Sequence, residues 1–129
     1  MNFISTEEFL KQPKKVQNIF KNWWKPQAGD LVHDKINIVG VIVPALCIGD
    51  YKSNLDKSKV TPLFQMHQLI EFIEDKTSCK IINIYYFNKK NCYSITLENN
   101  EIAKTIESSK NNLLYALWEV ACNIAEYEV

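Results

Sequence analysis

The side chains in this 129-residue chain best suited to chemistry are four cysteines, two histidines and fifteen carboxylates. The cysteines, Cys47, Cys79, Cys92 and Cys122, are widely spaced and include no C-x-x-C pair. With His33 and His67 they could supply zinc ligands, but structural zinc sites draw their ligands from local pairs. No metal or other cofactor is therefore expected, and the cysteines read as reduced, half-buried thiols of a cytosolic protein. His33-Asp34 is the one acid/base candidate, and its place between two strand-like segments predicts a solvated turn. Glu71, Glu74 and Asp75 read as the wet face of a helix. The chain has no G-x-S-x-G, no H-E-x-x-H and no glycine-rich phosphate loop. The expectation is a protein that is not an enzyme.

Binding residues are the stronger candidates. Trp23 and Trp24 are adjacent, so on a helix their indoles diverge by about 100°. Trp23 falls on the apolar stripe and reads as core. Trp24, beside Lys25 and Pro26, reads either as a lid over the core edge or as an exposed platform. Tryptophan in the second role anchors protein partners or stacks on bases. A second candidate surface lies further along, where Asn83, Tyr85, Phe87, Ser94 and Thr96 share the outward face of a predicted hairpin. Large aromatics on such a face form the kind of patch that marks a binding site.

Charge narrows the choice of partner. Fifteen lysines balance fifteen acids and arginine is absent, which argues against generic nucleic-acid binding. Without arginine, bidentate grips on phosphate or carboxylate are unavailable, leaving lysine as a point charge. Lys, Ile and Asn make up 43 of the 129 residues, a bias typical of AT-rich coding sequence. Residues 1–59 carry nine lysines against six acids, net +3, and residues 60–129 carry six against nine, net −3. That asymmetry could steer a charged partner or pair two copies of the chain as a homodimer, although a solvated surface is the simplest reading.

The elements that must hold these residues follow from local patterns. Ser5-Thr6-Glu7-Glu8 reads as a capping box opening a short helix. Pro13 suits the first position of a second helix, where Val16, Ile19, Phe20 and Trp23 make one apolar stripe. Lys25 to Asp30 breaks it. Leu31 to His33 and Ile36 to Val43 look like strands, with a further strand through Leu46 to Tyr51 and a loop over Lys52 to Lys59. Pro62 is expected to open a third helix that buries Met66, Leu69, Ile70 and Ile73. Lys80 to Phe87 and Cys92 to Leu97 make the clearest hairpin, with Phe87 opposite Cys92. Its core face would hold Ile82, Ile84, Tyr86, Tyr93, Ile95 and Leu97. Glu98 to Glu107 fits a strand or a loop. Ser108 or Ser109 is expected to cap a last helix that buries Leu114, Leu117, Trp118, Ala121 and Ala125. The sum is one α+β domain over residues 1–129, an antiparallel sheet with N-terminal, middle and C-terminal helices packed on it. The longest apolar stretch, residues 39–48, contains Pro44 and is too short for a membrane span. The N-terminus lacks the features of a signal peptide, so a soluble cytoplasmic protein without membrane contact is expected.

Three stretches carry a family resemblance. They are Phe20-Lys21-Asn22-Trp23-Trp24-Lys25-Pro26 with Gly29-Asp30; Pro62-Leu63-Phe64 with Gln68-Leu69-Ile70-Glu71-Phe72-Ile73; and Asn112-Leu113-Leu114-Tyr115-Ala116-Leu117-Trp118. Together they resemble a diffuse group of small phage and prophage proteins of low-GC Gram-positive bacteria. That group shows a W-x-P-x-x-G-D stretch, a P-L-L-[ST]-x-x-Q-L-x-x-F-I stretch and an L-x-x-A-L-W ending. The chain departs from it at Gln65 and His67, where a Ser/Thr cap and a small residue are usual. The resemblance implies an accessory protein in the cytoplasm of an infected or lysogenic cell. Combined with small size and the lack of a catalytic constellation, it favours a protein that binds and inhibits a bacterial host protein, as anti-defence proteins of the anti-CRISPR kind do. One alternative is a sponge for a nucleotide immune signal, with Tyr85, Phe87 or Trp24 stacked on the base. Another is a replication or packaging factor.

Overall fold

A computed structural model describes residues 2–34, 39–41, 58 and 60–127. Helices and antiparallel strands mix along the chain in an α+β fold. The strands are divided between two three-stranded sheets, not gathered in one. The chain forms two compact units, Phe3–Phe64 and Gln65–Val129 with Met1–Asn2.

The first unit opens with α1 (Thr6–Leu10) and α2 (Lys14–Trp23). Ser5 caps α1, its hydroxyl accepting from the Glu8 N–H at 3.2 Å. The Glu8 carboxylate meets Lys11 Nζ at 3.2 Å. Pro13 is the residue before α2, one position earlier than expected, and its fixed φ suits that entry. On α2, Val16, Gln17 and Phe20 are buried. Gln17 is an amide in a buried position because its Nε2 donates to the carbonyls of Leu10 (3.3 Å) and Gln12 (2.7 Å). The otherwise unsatisfied end of α1 is tied to α2 in this way. Phe9, Phe20 and Phe64 cluster with ring centroids 5.3–6.4 Å apart.

The structure shows Trp24 as a lid, and Trp23 is less buried than expected. Trp24 is 1% exposed, and Trp23 is only half-buried against Phe64. The helix ends at Trp23, and Trp24 already has extended backbone, so the 100° rule no longer governs its direction. The turn that follows explains the burial. Gly29 takes φ +95°, a conformation that costs glycine little, and this returns Asp30 toward the indole. Asp30 Oδ2 then accepts from Trp24 Nε1 and from the Gln27 N–H, both at 2.9 Å. The W-x-P-x-x-G-D stretch is thus a hydrogen-bonded clip closing the end of α2.

The sheet of this unit runs β2-β1-β3, with β1 (Leu31–Asp34) central between β2 (Val39–Val41) and β3 (Val60–Pro62). His33 pairs with Val39 on one side and Thr61 on the other. Asp34 therefore ends a strand instead of sitting in a turn. Pro62 does not open a helix. It closes β3 opposite Val32, a position proline tolerates on an edge strand. Of the strand expected over residues 36–43, the residues 39–41 are described. The strand expected over 46–51, with Cys47, lies outside the described residues, as does the 52–59 loop apart from Ser58.

The second unit holds α3 (Met66–Thr77), β4 (Lys80–Phe87), β5 (Cys92–Glu98), β6 (Ala103–Glu107) and α4 (Leu113–Glu126). Gln65 caps α3 in a capping box with Gln68, whose Oε1 accepts from the Gln65 N–H at 2.8 Å. Glutamine therefore does the work expected of Ser or Thr. Starting the helix at Met66 shifts the buried stripe to Gln68, Leu69, Phe72 and Ile73. Met66 is exposed and Ile70 only half-buried. On α4 the expected stripe of Leu114, Leu117, Trp118, Ala121 and Ala125 is buried. Its cap is Asn112, not Ser108 or Ser109; Asn112 Oδ1 accepts from the Tyr115 N–H at 3.2 Å. Ser109 instead donates to Glu119 through both N–H and hydroxyl. Helix α4 packs on α3 and β5. No described helix is long and apolar enough to cross a membrane.

Candidate binding face

The candidate face belongs to the β4-β5-β6 sheet, in which β5 is central. A four-residue turn, Asn88 to Asn91, joins β4 to β5. Asn91 adopts φ +51° there, which its short side chain tolerates better than most, and its amide oxygen accepts from the Tyr86 hydroxyl. Pairing starts with Phe87 opposite Cys92, followed by Tyr86–Tyr93, Tyr85–Ser94, Ile84–Ile95 and Asn83–Thr96. Up to this point the hairpin has the expected register.

A bulge then breaks it. Ile81, not Ile82, pairs with Leu97, because one extra residue sits on β4. Side chains alternate strictly along a strand, so one insertion exchanges the faces of everything beyond it. Ile82, expected in the core, is 55% exposed, and Ile81 takes its place opposite the fully buried Leu97. Glu74 helps to hold this end, accepting from the Ile81 N–H at 2.9 Å and from Lys80 Nζ at 3.5 Å. Its role is to fasten the strand, beyond the wet helical face expected of it.

The outward face consists of Asn83, Tyr85 and Phe87 on β4, and Cys92, Ser94 and Thr96 on β5. Pairing of Ser94 with Glu107 and Thr96 with Thr105 adds β6 to it. Burial is graded across it. Asn83 and Tyr85 are exposed, Phe87 and Thr96 are half-buried, and Cys92 and Ser94 are buried. Tyr85 and Phe87 form an edge-to-face pair, ring centroids 4.7 Å apart and planes at 74°, the arrangement aromatic quadrupoles favour. Lys90 Nζ lies 5.8 Å from the Phe87 centroid and 3.5 Å from Glu107 Oε1. The hydroxyls of Thr96 and Thr105 bond at 3.0 Å. The result is a preformed aromatic ridge on the outer strand, bordered by paired charges and hydroxyls.

Five of the seven binding residues read from the sequence thus share one sheet, and of these Asn83, Tyr85, Phe87 and Thr96 keep accessible surface. Ser94 is corrected: it lies on the face, yet as a central-strand residue it is too buried to meet a partner. Of the two readings of Trp24, the structure shows the lid and not the platform. Buried and bonded to Asp30, Trp24 is the lid of a core edge and offers no open platform. Lys25 is exposed, in the other unit. Thr105 and Glu107 have no sequence mark, because residues 98–107 fit a strand or a loop equally, whereas Lys90 in the β4–β5 turn is legible as a neighbour of Phe87.

Among the described residues no three His, Cys, Asp or Glu side chains are grouped as metal ligands, and Cys79, Cys92 and Cys122 are in no disulfide. No family model, curated protein or solved structure matches the chain.

Proposed function

We propose that the chain is a non-enzymatic phage or prophage accessory protein that binds a bacterial host protein through the outer face of the β4-β5-β6 sheet and inhibits it, as an anti-defence protein. The observation that carries this reading is the Tyr85–Phe87 ridge. Tyrosine left 53% exposed and braced by a neighbouring ring offers a large contact area at low entropic cost, the property that makes aromatics interface anchors. Its surroundings resemble a polar rim around such an anchor. The phage setting comes from the sequence resemblance. An aromatic ridge favours a protein over a small nucleotide, because small ligands are held in concave pockets.

The test is plating efficiency. The protein is expressed in a low-GC Gram-positive host carrying an active CRISPR interference system, which is then challenged with a targeted phage. Wild-type protein should raise plating several-fold, and the Tyr85→Ala/Phe87→Ala variant, expressed to the same level, should not. No gain from either protein would reject inhibition of that system.

A further inference from the structure

The two edges of the β4-β5-β6 sheet are unequally guarded. β6 is five residues long and carries Lys104 and Glu107. Charged side chains on a short strand are a common defence against pairing with another chain. β4 is eight residues long, carries no charge from Ile81 to Phe87, and among the described residues no strand lies beyond it. We propose that β4 pairs antiparallel with β4 of a second copy of the chain, joining the two sheets into one of six strands across a two-fold axis at Tyr85. Self-pairing of this kind uses the backbone edge of β4 and does not rest on the host-protein reading, which uses side chains of the face.

The direction of the backbone groups sets the register. The Ser108 N–H donates to the Tyr93 carbonyl at 2.8 Å, so Tyr93 turns its backbone groups toward β6. Tyr86, directly opposite Tyr93 on β4, then belongs to a non-hydrogen-bonded pair and turns its own N–H and C=O away from β5. Alternation along the strand gives Ile84 the same direction. Beyond the bulge the outward residue is Ile81, opposite Leu97, and its N–H is already taken, donating to Glu74 Oε2 at 2.9 Å. The open stretch is therefore Asn83 to Phe87. The bulge and the Glu74 contact close it at one end, and the turn into β5 closes it at the other.

That stretch is complementary to itself, which selects a second copy as its occupant. Its two outward residues, Ile84 and Tyr86, flank Tyr85 symmetrically. A two-fold axis at Tyr85 sets Ile84 opposite the partner's Tyr86, and two hydrogen bonds in each such pair satisfy the outward groups of both copies. Tyr85 then stands opposite the partner's Tyr85 in a non-hydrogen-bonded pair, where side chains approach most closely and aromatic pairs are favourable. Tyr85 is 53% exposed in the single chain, so its ring is available for that contact. Within the stretch no like charges are opposed. An axis at Ile84 would instead set the partner's Tyr86 against the bulge at Ile82, where the pairing pattern is broken. Only five residues pair in each copy, so the interface falls at the small, weak end of the range.

The experiment is analytical ultracentrifugation of the full chain from about 5 μM to about 500 μM, with backbone amide exchange measured at both ends of that range. The mass should rise toward twice the 15.0 kDa of one chain, with half-association at about 100 μM. Exchange at Ile84 and Tyr86 should slow about threefold at the high concentration, while Tyr85, whose N–H faces β5, should not change. Tyr85→Lys, at an exposed position, should keep its melting temperature in dilute solution and weaken association about tenfold or more, because two like charges would then face each other. Ile102→Lys, beside the β6 edge and also exposed, should leave association unchanged. A monomer over the whole range would overturn the proposal. So would a dimer in which Ile84 and Tyr86 exchange as fast as in dilute solution, protection of those amides that does not vary with concentration, or undiminished association of the folded Tyr85→Lys variant.

Discussion

The two units each build a three-stranded antiparallel sheet beside two helices, and they spend their polar residues in opposite ways. In Phe3–Phe64, Thr6, Lys14, Lys21, His33 and Thr61 converge on a concave cleft. In the β4-β5-β6 sheet, Asn83, Tyr85, Phe87, Thr96 and Thr105 spread over a surface centred on aromatic rings. A concave cleft suits a small ligand, whereas an open aromatic ridge suits a macromolecule. Secondary-structure content therefore says little about what each unit contacts. The placement of a few side chains relative to a strand's pleat or a helix's face decides it.

Each unit also buries one tryptophan, and these support the two surfaces unequally. Trp118 lies on the stripe of α4 that packs toward α3 and β5. Trp118→Ala should cost about 3–5 kcal/mol, a large part of the ~5–15 kcal/mol a domain possesses. A urea midpoint unchanged by that substitution would show that α4 does not support the sheet. Trp24 matters through a single bond as well as its bulk. Trp24→Phe keeps a ring but removes the donor to Asp30 and should cost about 1–3 kcal/mol. Trp23→Phe, at a half-buried position without that bond, should cost less in the same urea titration. The opposite order would contradict the deeper burial of Trp24.

Smaller effects sharpen the contrast. Asn112→Ala removes the cap of α4 and should cost about 1 kcal/mol, while Ser108→Ala and Ser109→Ala leave the cap intact; a larger loss at either serine would contradict the cap assignment. Ile82→Thr should change stability by no more than about 0.5 kcal/mol because the bulge puts that side chain in solvent. Ile95→Thr, at a fully buried position, should be clearly destabilising. Equal losses at the two isoleucines would argue that the bulge is absent.

How much of this was legible in the sequence depended on whether one local rule acted alone. The α4 stripe and the first five pairs of the hairpin followed from periodicity and turn length. Register failed at Ile82 because a bulge has no compositional mark in a run of isoleucines and tyrosines; Ile81-Ile82 reads equally well in either phase. Pro62 misled because proline suits both a helix start and an edge strand, and only pairing with β1 distinguishes them. Trp23 is less buried than its place on the stripe predicts because α2 ends there, and the extended backbone at Trp24 turns the second indole inward. For the binding residues, strand alternation found the face, but exposure within it depends on which strand is central, so Ser94 looked as available as Tyr85. The cleft was the least legible feature, since its residues come from four elements and meet only through the β1–β3 pairing and the α2 face.

The most direct test of the central claim compares wild type with Tyr85→Ala/Phe87→Ala in two measurements on the same preparations. One is the melting temperature; the other is retention, by immobilised protein, of a host protein from a Gram-positive lysate. The account predicts a melting temperature within a few degrees of wild type, because Tyr85 is exposed and Phe87 half-buried, together with loss of the retained protein. A folded double variant that holds the same host protein as strongly as wild type would contradict it.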